Sequence, residues 1–204
     1  MRPATKVFGI GLNKTGTTTL GQCLQHFGYR HATSNLELTR SVARHELETV
    51  LRFAEEYDSF EDWPWPLIFR ELDARFPGSK FILTVRRSPD AWLRSLQKHA
   101  LLTGPTEFRQ LAYGFAVPDG HEAEHLAVYE RHNREVRAYF ATRPGDFLEV
   151  CWEAGDGWRQ LADFLGHPVP DVPLPHANRS DRKRRQLLIA RARRLAGRLF
   201  RRAT

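Results

Sequence analysis

The residues best suited to chemistry lie near the start of the chain, in the segment KVFGIGLNKTGTTTL. Gly11 and Gly16 keep the glycine spacing of the Walker A pattern G-x-x-x-x-G-K-[ST], in which backbone amides hold phosphate groups at the start of a helix. Thr17 stands where that pattern has its lysine, and Lys14 lies inside the loop instead. An apolar run precedes the loop and a helical pattern follows it. The segment therefore predicts a nest of donors for a phosphate or a sulfate.

A second group of anion ligands follows the apolar run KFILTV, which predicts a strand at residues 80–85 that is covered on both faces. Two arginines, Arg86 and Arg87, come directly after this strand, and Ser95 lies eight residues beyond Arg87 in a segment that predicts a helix. Pro89 suits the first turn of that helix. The alternation of side chains along a strand leaves open which of the two arginines faces a ligand.

Together the two motifs resemble those of the sulfotransferase family, which uses 3′-phosphoadenosine 5′-phosphosulfate as the sulfuryl donor. NKTGTTT is similar to the family's loop for the 5′-phosphosulfate, and an arginine with a serine eight residues on is similar to its 3′-phosphate site. The resemblance selects Arg87 and implies that Lys14 neutralises the departing phosphate without a metal. The implied ligands of the donor, and of its product adenosine 3′,5′-bisphosphate, are Asn13, Lys14, Thr15, Gly16, Thr17, Thr18, Arg87 and Ser95.

The resemblance covers the chain from about Lys6 to Asn178, and it includes the segments DWPWPLIFRELDARF and PVPDVPLPH. In these segments the chain looks like a less studied sulfotransferase-like subgroup with a P-loop. In the cytosolic branch of the family a tryptophan follows the two threonines and stacks on the adenine, whereas this chain has Thr19. The resemblance therefore implies a sulfotransferase-like domain at residues 1–178 and leaves open what holds the adenine.

Sulfuryl transfer to an alcohol is an in-line displacement, which needs a base near the acceptor hydroxyl. In the cytosolic branch this base is a histidine two residues before a proline, and Asp62 takes that position here. A solvated aspartate has a pKa of about 3.9, so we expect Trp63 and Trp65 to desolvate the Asp62 carboxylate and raise its pKa. His31 and His99 are the alternative bases, and an ordinary loop carboxylate or helix cap is the alternative role of Asp62.

Three other functions compete with this interpretation. The segment HEAEH at residues 121–125 matches the zinc motif H-E-x-x-H, with Glu149 as a candidate third ligand, although so short a pattern arises readily by chance. A P-loop kinase would need the Walker lysine and usually an aspartate for magnesium at a strand end, where this chain has two arginines. A non-catalytic nucleotide-binding protein or membrane-surface adaptor would keep the anion site without the base.

The elements that must position these residues alternate between strands and helices. A capping box of Ser34 and Glu37 predicts the start of a helix that runs to the mid-50s. The other predicted elements are strands at 6–11, 80–85 and 146–152 and helices at 17–28, 67–76, 88–100, 121–141 and 156–165. This order predicts one α/β domain with a central parallel sheet of about five strands flanked by helices. Ligands of such sheets bind beyond the strand C-termini, and we expect the loops at 57–66 and 102–120 to shape a pocket for a small or glycan-like acceptor.

The charge and composition of the chain limit the kinds of partner that it could bind. The 204 residues carry a net charge of +7, but residues 179–204 contain 11 lysines and arginines against a single acid, so the excess does not predict a nucleic-acid partner. This segment predicts a basic amphipathic C-terminal helix, which would pack on its own domain, on another protein or on an anionic membrane surface. The start of the chain has no apolar signal segment, which favours a cytoplasmic protein. The sequence predicts no oligomeric state.

Overall fold

The structure is a computed structural model that describes residues 5–175. The predicted basic helix at residues 179–204 lies outside the described residues. Five strands form a single parallel sheet in the order β2-β3-β1-β4-β5. The strands are β1 Val7–Gly9, β2 His31–Ala32, β3 Ser59–Phe60, β4 Lys80–Thr84 and β5 Phe147–Val150. The predicted α/β fold with about five parallel strands is confirmed.

Eight α-helices connect and cover these strands within residues 5–175. They are α1 Thr17–His26, α2 Leu36–Ala43, α3 Leu47–Glu55, α4 Phe69–Arg75, α5 Pro89–Thr103, α6 Glu107–Tyr113, α7 Glu122–Phe140 and α8 Trp158–Leu165. Two short 3₁₀ turns, Trp65–Ile68 and Trp152–Ala154, follow β3 and β5. None of the described helices is long and apolar enough to cross a membrane.

The core lies on both faces of the sheet, because neighbouring residues of each strand point to opposite sides. On one face Phe8 of β1 stacks between Phe60 and Phe81, with ring centroids 4.7 and 5.4 Å away, and Phe140 of α7 packs on Phe81. On the other face buried strand residues pack against α1 and α8; this cluster includes Val7, Ile82, Val150, Leu20 and Leu161. The continuous apolar run of β4 is thus covered on both faces, as predicted.

Some predicted boundaries are wrong. The single helix expected from residue 34 to the mid-50s is two helices, because His45 has a left-handed φ of 61° and separates α2 from α3. The side chain that caps α2 belongs to Asn35, whose Oδ1 accepts from the Leu38 amide at 3.1 Å, so Ser34 is not the cap. The expected loop at 57–66 contains β3, and the expected loop at 102–120 contains α6.

The strand order identifies where a ligand would bind. From β1 the chain passes through α1 to the β2 side of the sheet, whereas from β3 it crosses to β4 on the other side of β1. Open α/β sheets bind ligands in the crevice beyond the strand C-termini at such a switch point. The loop between β1 and α1 and the arginines after β4 both begin at this crevice.

Candidate active site

The β1–α1 loop, residues 10–16, surrounds the start of α1. Lys14 has a φ of 70° and Gly16 a φ of 93°, so two residues of the loop adopt the left-handed conformation. Gly16 is the N-cap of α1 and offers no capping side chain to the first amides of the helix. Backbone amides presented in this way, together with the positive end of the helix dipole, are the kind of arrangement that suits an anion.

Thr15 fixes the loop to the end of β4. Its hydroxyl donates to the Leu12 carbonyl at 2.6 Å and lies 2.6 Å from the Thr84 hydroxyl. The two segments approach so closely that a Cβ on Gly11 would lie 2.1 Å from Thr84 Oγ1. The Thr15 side chain is buried, so any contact of Thr15 with a ligand would come from its backbone. Of the two threonines after Gly16 that the resemblance assigns to the donor, Thr17 is buried and Thr18 is exposed.

Asn13 is held from the opposite side by aromatic residues of α5 and α6. Its carbonyl accepts from Trp92 Nε1 at 2.9 Å, and its Oδ1 accepts from the Tyr113 hydroxyl at 2.6 Å. Trp92 in turn stacks on Tyr129, with ring centroids 4.4 Å apart. These contacts make Asn13 a residue that orients the loop from within the protein.

The two arginines after β4 have different partners. The Arg86 guanidinium forms an ion pair with the Glu153 carboxylate at 3.2 Å, and the Arg86 amide donates to the Tyr129 hydroxyl at 3.0 Å. Arg87 is exposed; its amide donates to Glu153 Oε2 at 3.0 Å and its guanidinium to the Glu153 carbonyl at 2.6 Å. Because the carboxylate compensates the charge of Arg86, Arg87 is the better placed of the two to meet an anion.

Ser95 and His99 lie on α5, the helix that begins beside these arginines. Ser88 caps α5 by accepting from the Ala91 amide at 3.1 Å, and Pro89 occupies its first turn, as predicted. Ser95 and His99 are both half-buried, and they are one turn apart on the helix. The structure therefore places Ser95 two turns along the helix that starts at the arginines.

Trp152 was not predicted from the sequence as a site residue. Its indole lies against the β1–α1 loop, since a Cβ on Gly16 would be 2.4 Å from Trp152 Cδ1. Its Nε1 is buried and has no hydrogen-bond partner among the described residues. The next residue, Glu153, contacts both arginines. The turn after β5 thus touches both candidate anion sites.

Asp62 is the second residue after β3, with its neighbour Trp63 buried beside it. Its φ of 65° is left-handed, its Oδ1 accepts from the Trp63 amide at 3.0 Å, and its carbonyl accepts from the Trp65 amide at 3.1 Å. Burial and then the Glu61 carboxylate raise the pKa of Asp62 to about 7, against the Trp63 amide and the charge of Lys14, which lower it. The expected increase in pKa is present, and Asp62 can exchange a proton near neutral pH.

Tyr113 of α6 is buried close enough to Asp62 to feel its charge. Burial, and then the charge of Asp62, raises the pKa of Tyr113 well above its ordinary value. Its ring packs edge-on against Trp63, with centroids 5.5 Å apart. Buried Arg109 holds α6 in place by donating to the Ala116 carbonyl at 2.7 Å and the Thr103 hydroxyl at 3.2 Å. Helix α6 therefore forms one wall beside the Asp62 carboxylate.

His31, the first alternative base, is not open to the crevice. Its side chain is 4% exposed, its Nδ1 lies 2.9 Å from the Ser59 hydroxyl, and its Nε2 lies 3.8 Å from Glu61 Oε1. His31 is therefore placed to contact Glu61, and a bound acceptor would not reach it.

The residues of the HEAEH motif make contacts of other kinds. Buried His125 directs its Nδ1 to the His121 carbonyl at 2.8 Å, while His121 stacks on Phe115 with ring centroids 3.7 Å apart. Glu149, the candidate third ligand, forms two hydrogen bonds with Arg137 at 2.6 and 2.9 Å. Within residues 5–175 no group of three or more His, Cys, Asp and Glu side chains is arranged to hold a metal ion.

Comparison with known proteins identifies the family of this chain. The family model described as a sulfotransferase domain matches residues 6–117 and 106–182, and the chain belongs to this family. The chain is also 27% identical over 217 residues to Ava biosynthesis cluster protein M of Aspergillus versicolor, an alignment that covers 86% of this chain and 82% of that protein. Family membership supports a sulfotransferase-like activity.

Proposed function

We propose that this protein transfers the sulfuryl group of 3′-phosphoadenosine 5′-phosphosulfate to a hydroxyl or an amine of a small or glycan-like acceptor. The observation that carries the proposal is the meeting of two anion sites at one crevice of the sheet. One is the β1–α1 loop and the other is Arg87 after the adjacent strand β4. A nucleotide with phosphate groups at both its 5′ and 3′ positions has the matching charge distribution.

The 5′ side of the donor would lie on the β1–α1 loop. The amides at the start of α1 suit the 5′-phosphate, and Lys14 would balance the charge that develops there as the bond between sulfur and the bridging oxygen breaks. Thr17 and Thr18 would add donors from the first turn of the helix. The proposal needs no metal for this step, because these groups already supply positive charge.

The 3′ side would lie against Arg87, with Ser95 as a further donor from α5. The contact of Arg87 with the Glu153 carbonyl holds its guanidinium at the end of β4. The adenine would lie on Trp152, because the Trp152 indole lies against Gly16 beside both candidate anion sites. An aromatic ring at this place offers a flat surface on which the adenine could stack. Thr19, which stands where the cytosolic branch has its tryptophan, offers no such surface.

Asp62 would accept the proton of the acceptor. As the acceptor oxygen or nitrogen bonds to sulfur and the 5′-phosphate departs, the proton passes to the Asp62 carboxylate. A base is most effective when its pKa lies near the working pH, and the pKa of Asp62 is raised to about 7. Trp63 and Tyr113 are buried next to Asp62, with their rings packed edge-on, and would support this side of the site from behind.

A thermal-shift comparison tests the donor. Adenosine 3′,5′-bisphosphate at about a hundred times its dissociation constant should stabilise the protein by about 2.7 kcal/mol, a shift of roughly 5–10 °C. The shift should be lost in Arg87→Ala. A shift with ATP and magnesium alone would instead favour a kinase, and no shift with either would favour a protein that acts without a nucleotide.

A further inference from the structure

We infer that Glu61 is a positioning residue, which acts on proton transfer through the neighbouring Asp62 and is itself held in place by His31 and Thr33. The two carboxylates are consecutive in the chain, yet Glu61 is 3% exposed while Asp62 is only half-buried. The effect on catalysis rests on the proposed function. The electrostatic effect on Asp62 does not, and it can be measured without a substrate.

The contacts of Glu61 show that its carboxylate has a fixed place. Oε1 accepts a hydrogen bond from the Thr33 hydroxyl and lies 3.8 Å from His31 Nε2. His31 is oriented in turn by Ser59, whose hydroxyl lies 2.9 Å from the other ring nitrogen. Three residues of β2, β3 and the segment after β2 thus direct one buried carboxylate.

Helix α1 leaves room for this arrangement at Gly21. A Cβ on Gly21 would lie 2.6 Å from His31 Nε2 and 3.2 Å from Glu61 Cγ. Glycine inside a helix is destabilising relative to alanine. The glycine at position 21 is therefore explained by packing: it lets the His31 ring and the Glu61 side chain approach the backbone of α1 closely.

Burying a carboxylate is costly unless its oxygens are well satisfied, and Glu61 Oε2 is buried with no hydrogen-bond partner among the described residues. Burial, and then the charge of Glu61, raise the pKa of Asp62. The neighbouring groups on other elements do not raise the pKa of Asp62. Lys14 lowers it, and Tyr113 stays neutral because the pKa of Tyr113 is itself raised. Glu61 is thus the nearby charge that makes Asp62 more basic.

The experiment is a carbon-13 NMR titration of the aspartate carboxyl groups, with the Asp62 signal assigned by its loss in Asp62→Asn. In Glu61→Gln, which keeps the size of the side chain and removes its charge, the pKa of Asp62 should fall by about 1 unit or more. Glu46→Gln removes an exposed carboxylate elsewhere and should leave Asp62 unchanged. Thr33→Val removes a hydrogen bond to Glu61 but keeps its charge, so Asp62 should keep a raised pKa.

An unchanged Asp62 titration in folded Glu61→Gln would overturn the inference. If that variant does not fold, the wild type decides, with the glutamate carboxyl carbons labelled as well: one glutamate signal should respond at the pH where Asp62 titrates, because coupling is reciprocal. The absence of such a response from every glutamate signal would also overturn the inference. A failure of the proposed role of Asp62 as the base can be told apart from a failure of this inference. In that case Asp62→Asn would transfer sulfuryl groups as fast as the wild type, and both NMR results would be unchanged.

Discussion

The crevice has two sides that are built in different ways. The anion side, the β1–α1 loop with Arg87, uses backbone amides, a left-handed turn and an exposed guanidinium. The carboxylate side, Glu61 with Asp62, uses side chains whose properties come from burial and from neighbours on other elements. An anion site can therefore be made by local backbone geometry, whereas a base that works near neutral pH needs the surrounding fold.

This comparison predicts that changes on the carboxylate side reduce the rate and leave donor binding alone. Asp62→Asn should reduce sulfuryl transfer about 10²–10⁴-fold, because the acceptor loses its base. The measurement is the release of adenosine 3′,5′-bisphosphate under saturating donor, with any acceptor that supports turnover. Glu46→Gln is the control for an exposed acid, and full activity of Asp62→Asn would remove Asp62 from the mechanism.

Lys14 tests whether the anion side acts in the reaction as well as in binding. Lys14→Met should reduce kcat about 10²–10³-fold, the usual effect of removing a group that stabilises developing charge. Affinity for adenosine 3′,5′-bisphosphate should fall much less. Lys98→Met, at an exposed lysine of α5, is the matched control. Equal losses in kcat and in product affinity would mean that Lys14 only binds the nucleotide.

The arginines should differ because Glu153 compensates only the charge of Arg86. Arg87→Ala should weaken adenosine 3′,5′-bisphosphate about 10- to 100-fold, the equivalent of charge-assisted hydrogen bonds of about 1.5–3 kcal/mol. Arg86→Ala should weaken it less. Isothermal titration calorimetry measures both, and a larger loss in Arg86→Ala would exchange the roles assigned to the two residues.

The raised pKa of Asp62 predicts a pH dependence of stability. The pKa of Asp62 is raised from 3.8 to about 7, so between these values the folded state binds more protons than the unfolded chain. Stability must then fall as the pH rises through this window, and Asp62→Asn should remove that loss. At pH 8 the variant should melt above the wild type, by roughly 2–4 °C for each kcal/mol recovered. If the melting temperatures of the wild type and Asp62→Asn differed by the same amount at every pH from 4 to 8, the raised pKa of Asp62 would be contradicted.

The sequence predicts most of the fold, and its failures have local causes. Long apolar or periodic segments such as β4 and α7 are predicted well, because burial on both faces or on one helical stripe gives a clear pattern. Strands β2 and β3 are two residues each, too short to show any period. The break at His45 depends on one left-handed residue that is not glycine.

The candidate site divides in the same way. The β1–α1 loop and the spacing of Arg87 and Ser95 are contained in short segments, so they can be read from the sequence. The roles of Trp152 and Glu153 depend on the pairing of β5 with β4, which brings the turn after β5 to the crevice. The contact of His31 with Glu61 depends on the pairing of β2 with β3. Pairings between strands are not visible in short segments.

The most direct test of the account is a calorimetric titration of the wild type, Arg87→Ala and Asp62→Asn with adenosine 3′,5′-bisphosphate and with adenosine 5′-monophosphate. We predict that the wild type prefers the bisphosphate, that Arg87→Ala loses this preference, and that Asp62→Asn keeps it. Equal affinity of the wild type for both nucleotides would contradict the 3′-phosphate site. Loss of bisphosphate binding in folded Asp62→Asn would contradict the separation of the two sides.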